Sequence, residues 1–116
     1  MAIRGIRGAT TVNANEREAI VSATKELLQK IVQENNLKVE EIASVLFSST
    51  PGLNAEFPAV AAREIGWNET PLVCMQEIAV PGALKNCIRV LLHFNTDLPQ
   101  SQMKHLYLRE AKNLRR

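Results

Sequence analysis

The sequence predicts one α+β domain: a mixed, four- or five-stranded sheet with one long helix and one short helix packed on it. Three observations predict it. The 116 residues are 46% hydrophobic and 22% charged, the composition of a single globular domain spanning 1–116. One stretch alone, ending near Asn35, sustains an apolar repeat at helical spacing. Most other apolar residues fall in short extended runs bounded by Gly, Pro or Asn.

Residues 2–12 form the opening strand, with the doublet Ile3-Arg4-Gly5 and Ile6-Arg7-Gly8 ending in a β-branched run. Alternation along a strand places Ile3 with Arg7 and Arg4 with Ile6. Either one arginine of the pair faces inward, or both are solvated edge charges and the glycines relieve crowding between backbones. Asn13 or Asn15 then caps the long helix, with Glu16 and Glu18 at the spacing of a capping box. Ile20, Thr24, Leu27, Leu28 and Ile31 form its buried stripe, and Asn35-Asn36 supplies a left-handed stop. Lys38 to Ile42 adds a short turn.

Ser44 to Thr50 is a buried strand halted by Pro51-Gly52. Pro58 opens a short helix over Ala59 to Glu64, with Gly66 just beyond its end. Thr70 to Ile78 is extended, carries Glu77 at its close, and precedes Pro81-Gly82. In Cys87 to Phe94, Ile88, Val90, Leu92 and Phe94 share one face, leaving Arg89 beside Cys87, Leu91 and His93. A charge inside an apolar strand needs a partner, so Arg89 is either a ladder charge at the water line or a ligand-facing guanidinium. Met103 to Leu108 reads as the last strand, and the basic residues 109–116 as a mobile tail.

A net charge of +2 is too mild for a dedicated nucleic-acid or polybasic membrane binder, and scattered aromatics offer no stacking ladder. The first residues lack a signal-peptide core, and no apolar run approaches the ~20 residues that cross a bilayer. A cytoplasmic protein without nucleic-acid or membrane partners is expected. Cys74 and Cys87 lie outside any metal-ligand or disulfide spacing. One long helix covers a single sheet face, yet Val45 to Phe47 and Val90 to Leu92 are apolar on both sides. Packing against copies of the same chain is the simplest cover for the other.

The polar residues on inward faces are Arg7, Arg63, Glu77, Arg89 and Tyr107, with His93 and His105 read as structural. Three guanidiniums, a carboxylate and a phenol suit a small dianion that also carries a hydroxyl, since Arg grips carboxylates through a planar fork. No nucleophile–base pair, phosphate loop or metal spacing accompanies them, so an enzyme built on this set works by binding and electrostatics.

Several motifs in order, Ile3 to Val12, Ser49-Thr50-Pro51 with Phe57-Pro58-Ala59 and Arg63-Glu64, Pro71 to Glu77, Cys87 to Val90 and His105 to Leu108, resemble the monofunctional bacterial chorismate mutases of the trimeric class. The resemblance implies a homotrimer whose sheets form a pseudo-α/β barrel, with sites in clefts between subunits. It implies conversion of chorismate to prephenate for Phe and Tyr biosynthesis, with no cofactor or metal. Arg7 and Tyr107 would hold a substrate carboxylate, Arg89 reach the breaking ether bond, and Glu77 with Cys74 meet the ring hydroxyl. Phe57, Ala59, Arg63, Val73, Leu114 and Arg115 would complete the wall and lid. Val60 stands where relatives carry a lysine near the cleft, and a tail ending at Arg116 implies looser closure, felt in substrate affinity. The competing class is a non-enzymatic trimer that senses a small carboxylate; a mere binder does not need Glu77 set against Arg89.

Overall fold

The computed structural model describes residues 2–114. Five strands, β1 (Ala2–Thr11), β2 (Ile42–Ser49), β3 (Leu72–Gln76), β4 (Cys87–Thr96) and β5 (Leu106–Tyr107), form one mixed sheet in the order β3-β2-β4-β1-β5. The central pairs β1–β4 and β2–β4 are antiparallel, and the edge pairs β2–β3 and β1–β5 are parallel. Helices α1 (Arg17–Asn35) and α2 (Ala59–Glu64) pack on one face.

Alternation explains which face is covered. Ile6 of β1, Val45 and Phe47 of β2, and Val90, Leu92 and Phe94 of β4 point towards α1 and α2, where Leu27, Leu28, Ile31, Ala59 and Ala62 complete the core. The predicted helix stripe is the buried one. Gly8 is where α1 comes closest to β1: a Cβ there would lie 2.9 Å from the Ile31 Cδ1 and 3.2 Å from side-chain carbons of Leu27 and Val90. The glycine therefore relieves helix-on-sheet crowding, not crowding between backbones. Gly8→Ala is expected to lower unfolding stability by about 1–3 kcal/mol through overpacking, read as a shift in denaturation midpoint.

Three local expectations are corrected. The α1 N-cap is Glu16, without a side-chain cap, because the Asn15 side chain is engaged elsewhere. Its Oδ1 accepts from the Asn54 and Ala55 amides at 2.9 and 3.0 Å, pinning the loop that leads to Phe57. The last strand is only Leu106–Tyr107, since Asn35 takes both the amide and the carbonyl of Lys104 through its side chain. Arg109–Leu114, within the segment read as a tail, forms a 3-10 helix instead, because Ala111 fills a buried cluster with Ala9 and Cys87.

The opposite sheet face carries no α-helix, and the 3-10 helix Arg109–Leu114 covers it at Ala9 and Cys87. Ile3, Val73, Met75 and Leu91 stand exposed there at 58, 50, 47 and 36%.

Candidate active site

Two groups of the expected residues are brought together, and they lie on different parts of the chain. The first stands on the open sheet face. Arg7 and Ala9 on β1, Ser48 on β2, Arg89 on β4 and Tyr107 on β5 share this face by alternation, and Glu77 follows directly on β3. They border a cavity of about 310 Å³. Register makes this possible: Ser48 pairs directly with Arg89, and Ala9 with both Arg89 and Tyr107.

Arg89, with two readings left open by its spacing, is ion-paired. Its Nε lies 2.8 Å from Glu77 Oε2, with the two side chains 46 and 21% exposed. The Ser48 hydroxyl donates to the same Oε2 at 2.8 Å. The Glu77 amide donates to the Ser49 carbonyl at 2.9 Å, extending the β2–β3 pairing by one step and fixing where the carboxylate begins. An ion pair this exposed adds only about 0–1 kcal/mol to stability, so the fold gains little from it. What it does hold is a cation and an anion beside each other at a cavity mouth.

Arg7 is exposed, with its amide donating to His105 Nδ1 at 2.9 Å, so His105 secures the strand that carries it. His93 likewise meets Ser44, 3.1 Å away. Both histidines, read from the sequence as structural, take hydrogen-bonded contacts within the sheet. Leu114 packs with Tyr107 over the Ala9, Cys87 and Ala111 cluster, at the edge of this group. Arg115 lies outside the described residues.

The second group sits at the β3 edge beside α2. Cys74 faces the helices, opposite in parity to Glu77, and borders with Phe57 a cavity of about 540 Å³. Burial pushes the Cys74 thiol up, opposed by a hydrogen bond from the Ala59 backbone and by the Arg63 charge. Phe57 is 65% exposed and Arg63 is exposed as well. Arg17 ties this region to the start of α1 through ion pairs to Glu56 at 3.3 Å and Glu64 at 2.8 Å. Val73 points to the open face, opposite Leu46. Cys74 and Glu77 therefore do not meet through their side chains within one chain; only the backbone of residue 74 lies along Glu77's own strand.

Ser48 is the residue that sequence reasoning missed. The signal was present in the pattern: it has the parity of Leu46, opposite to Phe47, and so had to face away from the helices.

The family model for chorismate mutase type I matches residues 3–116. The chain is 52% identical over 116 residues to chorismate mutase AroH of Bacillus subtilis (strain 168), covering 99% of this chain and 91% of that protein. It is 50% identical over 114 residues to chorismate mutase AroH of Thermus thermophilus, covering 97 and 93% respectively. The solved chorismate mutase from Clostridium thermocellum superposes with a TM-score of 0.93 at 49% identity, over 94% of this chain and 97% of that one.

Proposed function

The chain belongs to the chorismate mutase type I family, and from that premise we infer how its residues turn chorismate into prephenate. The enzyme is an isomerase, and the pathway is aromatic amino-acid biosynthesis. The reaction is a unimolecular [3,3] rearrangement in which an ether C–O bond breaks as a C–C bond forms, without proton transfer or a covalent intermediate. Negative charge grows on the ether oxygen and positive character on the ring fragment as the bond lengthens.

The observation that carries the assignment of roles is the Arg89–Glu77 pair on the open face. Arg89 uses Nε on Glu77, which leaves its terminal nitrogens to donate to the ether oxygen. Glu77 faces the ring, where its carboxylate accepts from the hydroxyl and offsets the developing positive character. Both groups are in place before the substrate arrives, so stabilising the transition state requires little reorganisation. Arg7 and Tyr107 hold a substrate carboxylate and keep the enolpyruvyl arm folded over the ring, an ordering task that lowers the barrier by restricting conformations.

The second group completes the site from a neighbouring copy. Phe57 and Arg63 stand exposed and apart from Arg89 within one chain, with the Ala59 side chain buried in the core, while aliphatics on the open sheet face await cover. A heterologous, head-to-tail interface that closes into a ring of three satisfies both facts. It brings the α2 edge of one protomer over the Arg89 face of the next, giving a homotrimer with sites between subunits. Leu114 and Arg115 border the cleft, and Cys74 contributes to it through its backbone. Among the described residues no helix is long and apolar enough to cross a membrane, and we place the enzyme in the cytoplasm.

The test is loss of chorismate ultraviolet absorbance with purified protein in the presence of a chelator. Rapid formation of prephenate is expected. Binding of chorismate with decay at the background rate would instead mark a non-enzymatic carboxylate sensor.

A further inference from the structure

We propose that Ser48 is a positioning residue for the reaction, holding the Glu77 carboxylate in its working orientation while Arg89 also serves the substrate. The inference deepens the role given to Glu77 above and rests on it. Among the described residues, two donors reach the Glu77 carboxylate, Ser48 Oγ and Arg89 Nε, each at 2.8 Å and each on Oε2. Oε1 is thereby left for the ring hydroxyl. The two donors are not equivalent. Arg89 is exposed, reaches Glu77 at the end of a long side chain with four rotatable bonds, and is itself drawn towards the ether oxygen as negative charge builds there. Ser48 is half-buried on β2, short, and fixed by strand pairing directly opposite Arg89 and beside Met75.

In the resting site both donors share the restraint of Glu77. As the C–O bond lengthens, the terminal nitrogens of Arg89 are drawn towards the ether oxygen while its Nε stays on Glu77, and the fixed Ser48 hydroxyl takes a larger share in keeping Oε2 in place. The contribution of Ser48 therefore grows towards the transition state, which places its effect in kcat more than in KM. A carboxylate left without this donor has to be oriented at the moment of reaction, and preorganisation is lost.

The experiment compares kcat and KM for Ser48→Ala, Ser48→Thr, Glu77→Ala and the Ser48→Ala/Glu77→Ala double variant. Ser48→Ala is expected to lower kcat about tenfold, the scale of one hydrogen bond to a charged group, with KM changed less than about threefold. Ser48→Thr keeps the donor and retains kcat within about threefold. The double variant is expected to be no slower than Glu77→Ala, because residues acting as one unit are not additive. Wild-type kcat in Ser48→Ala beside an impaired Glu77→Ala would overturn the Ser48 role and leave that of Glu77 standing. So would an equal loss from Ser48→Ala in the Glu77→Ala background, or a tenfold loss in Ser48→Thr. Wild-type kcat in Glu77→Ala itself would remove the role of Glu77, and that of Ser48 with it.

Discussion

Arg89→Ala is expected to lower kcat by at least about 10²–10³-fold, the loss that follows removal of one key preorganised donor. The fold should survive it, because Arg89 is 46% exposed and its pair with Glu77 contributes little stability. An unchanged denaturation midpoint beside the lost activity would separate chemistry from folding. Arg89→Lys keeps the charge but loses the planar guanidinium, which in the proposed site serves two partners at once: Glu77 through Nε and the ether oxygen through the terminal nitrogens. A single ammonium cannot hold that geometry, so the lysine variant is expected to remain clearly impaired. Near-normal turnover in the alanine variant would sink the role.

Glu77→Ala is expected to lower kcat by about 10²-fold, with a smaller change in KM. In the proposed site its charge faces positive character that exists mainly in the transition state, so ground-state binding is expected to depend on it less. The variant also frees Arg89 from its ion pair and Ser48 from its acceptor, and neither change creates a buried unpaired charge, since Arg89 is exposed. A rise in KM with kcat unchanged would instead make Glu77 a binding group only. Steady-state kinetics across chorismate concentrations decide between the two.

The parts of the fold set by periodicity were legible in the sequence. The α1 stripe, the short α2 after Pro58 and the inward set Ile88, Val90, Leu92 and Phe94 all follow from spacing, because burial on one face imposes the period. What escaped depends on long-range partners. Asn15 reads as a cap until Asn54 and Ala55 come within reach, and residues 109–114 read as a solvated tail until Ala111 finds Ala9 and Cys87. The site divides in the same way. Arg7, Glu77, Arg89 and Tyr107 could be collected by strand parity. Parity also separates Cys74 from Glu77, three residues apart on an extended chain, whereas the family resemblance set them together. Phe57 and Arg63 carry no periodic signal towards the Arg89 face, because nothing within one chain folds them onto it.

Mixed refolding of two inactive variants tests this two-copy site most directly. In the proposed trimer Arg89→Ala spoils the open-face half and Arg63→Ala the α2-edge half, so each variant alone is expected to be strongly impaired. Unfolded together in equal amounts and refolded, with refolded wild type as the reference, they are expected to form rings in which about a quarter of the interfaces join two intact halves. The account predicts recovery of about that share of the wild-type rate. A mixture no faster than the mean of its two parents would contradict a site built between copies.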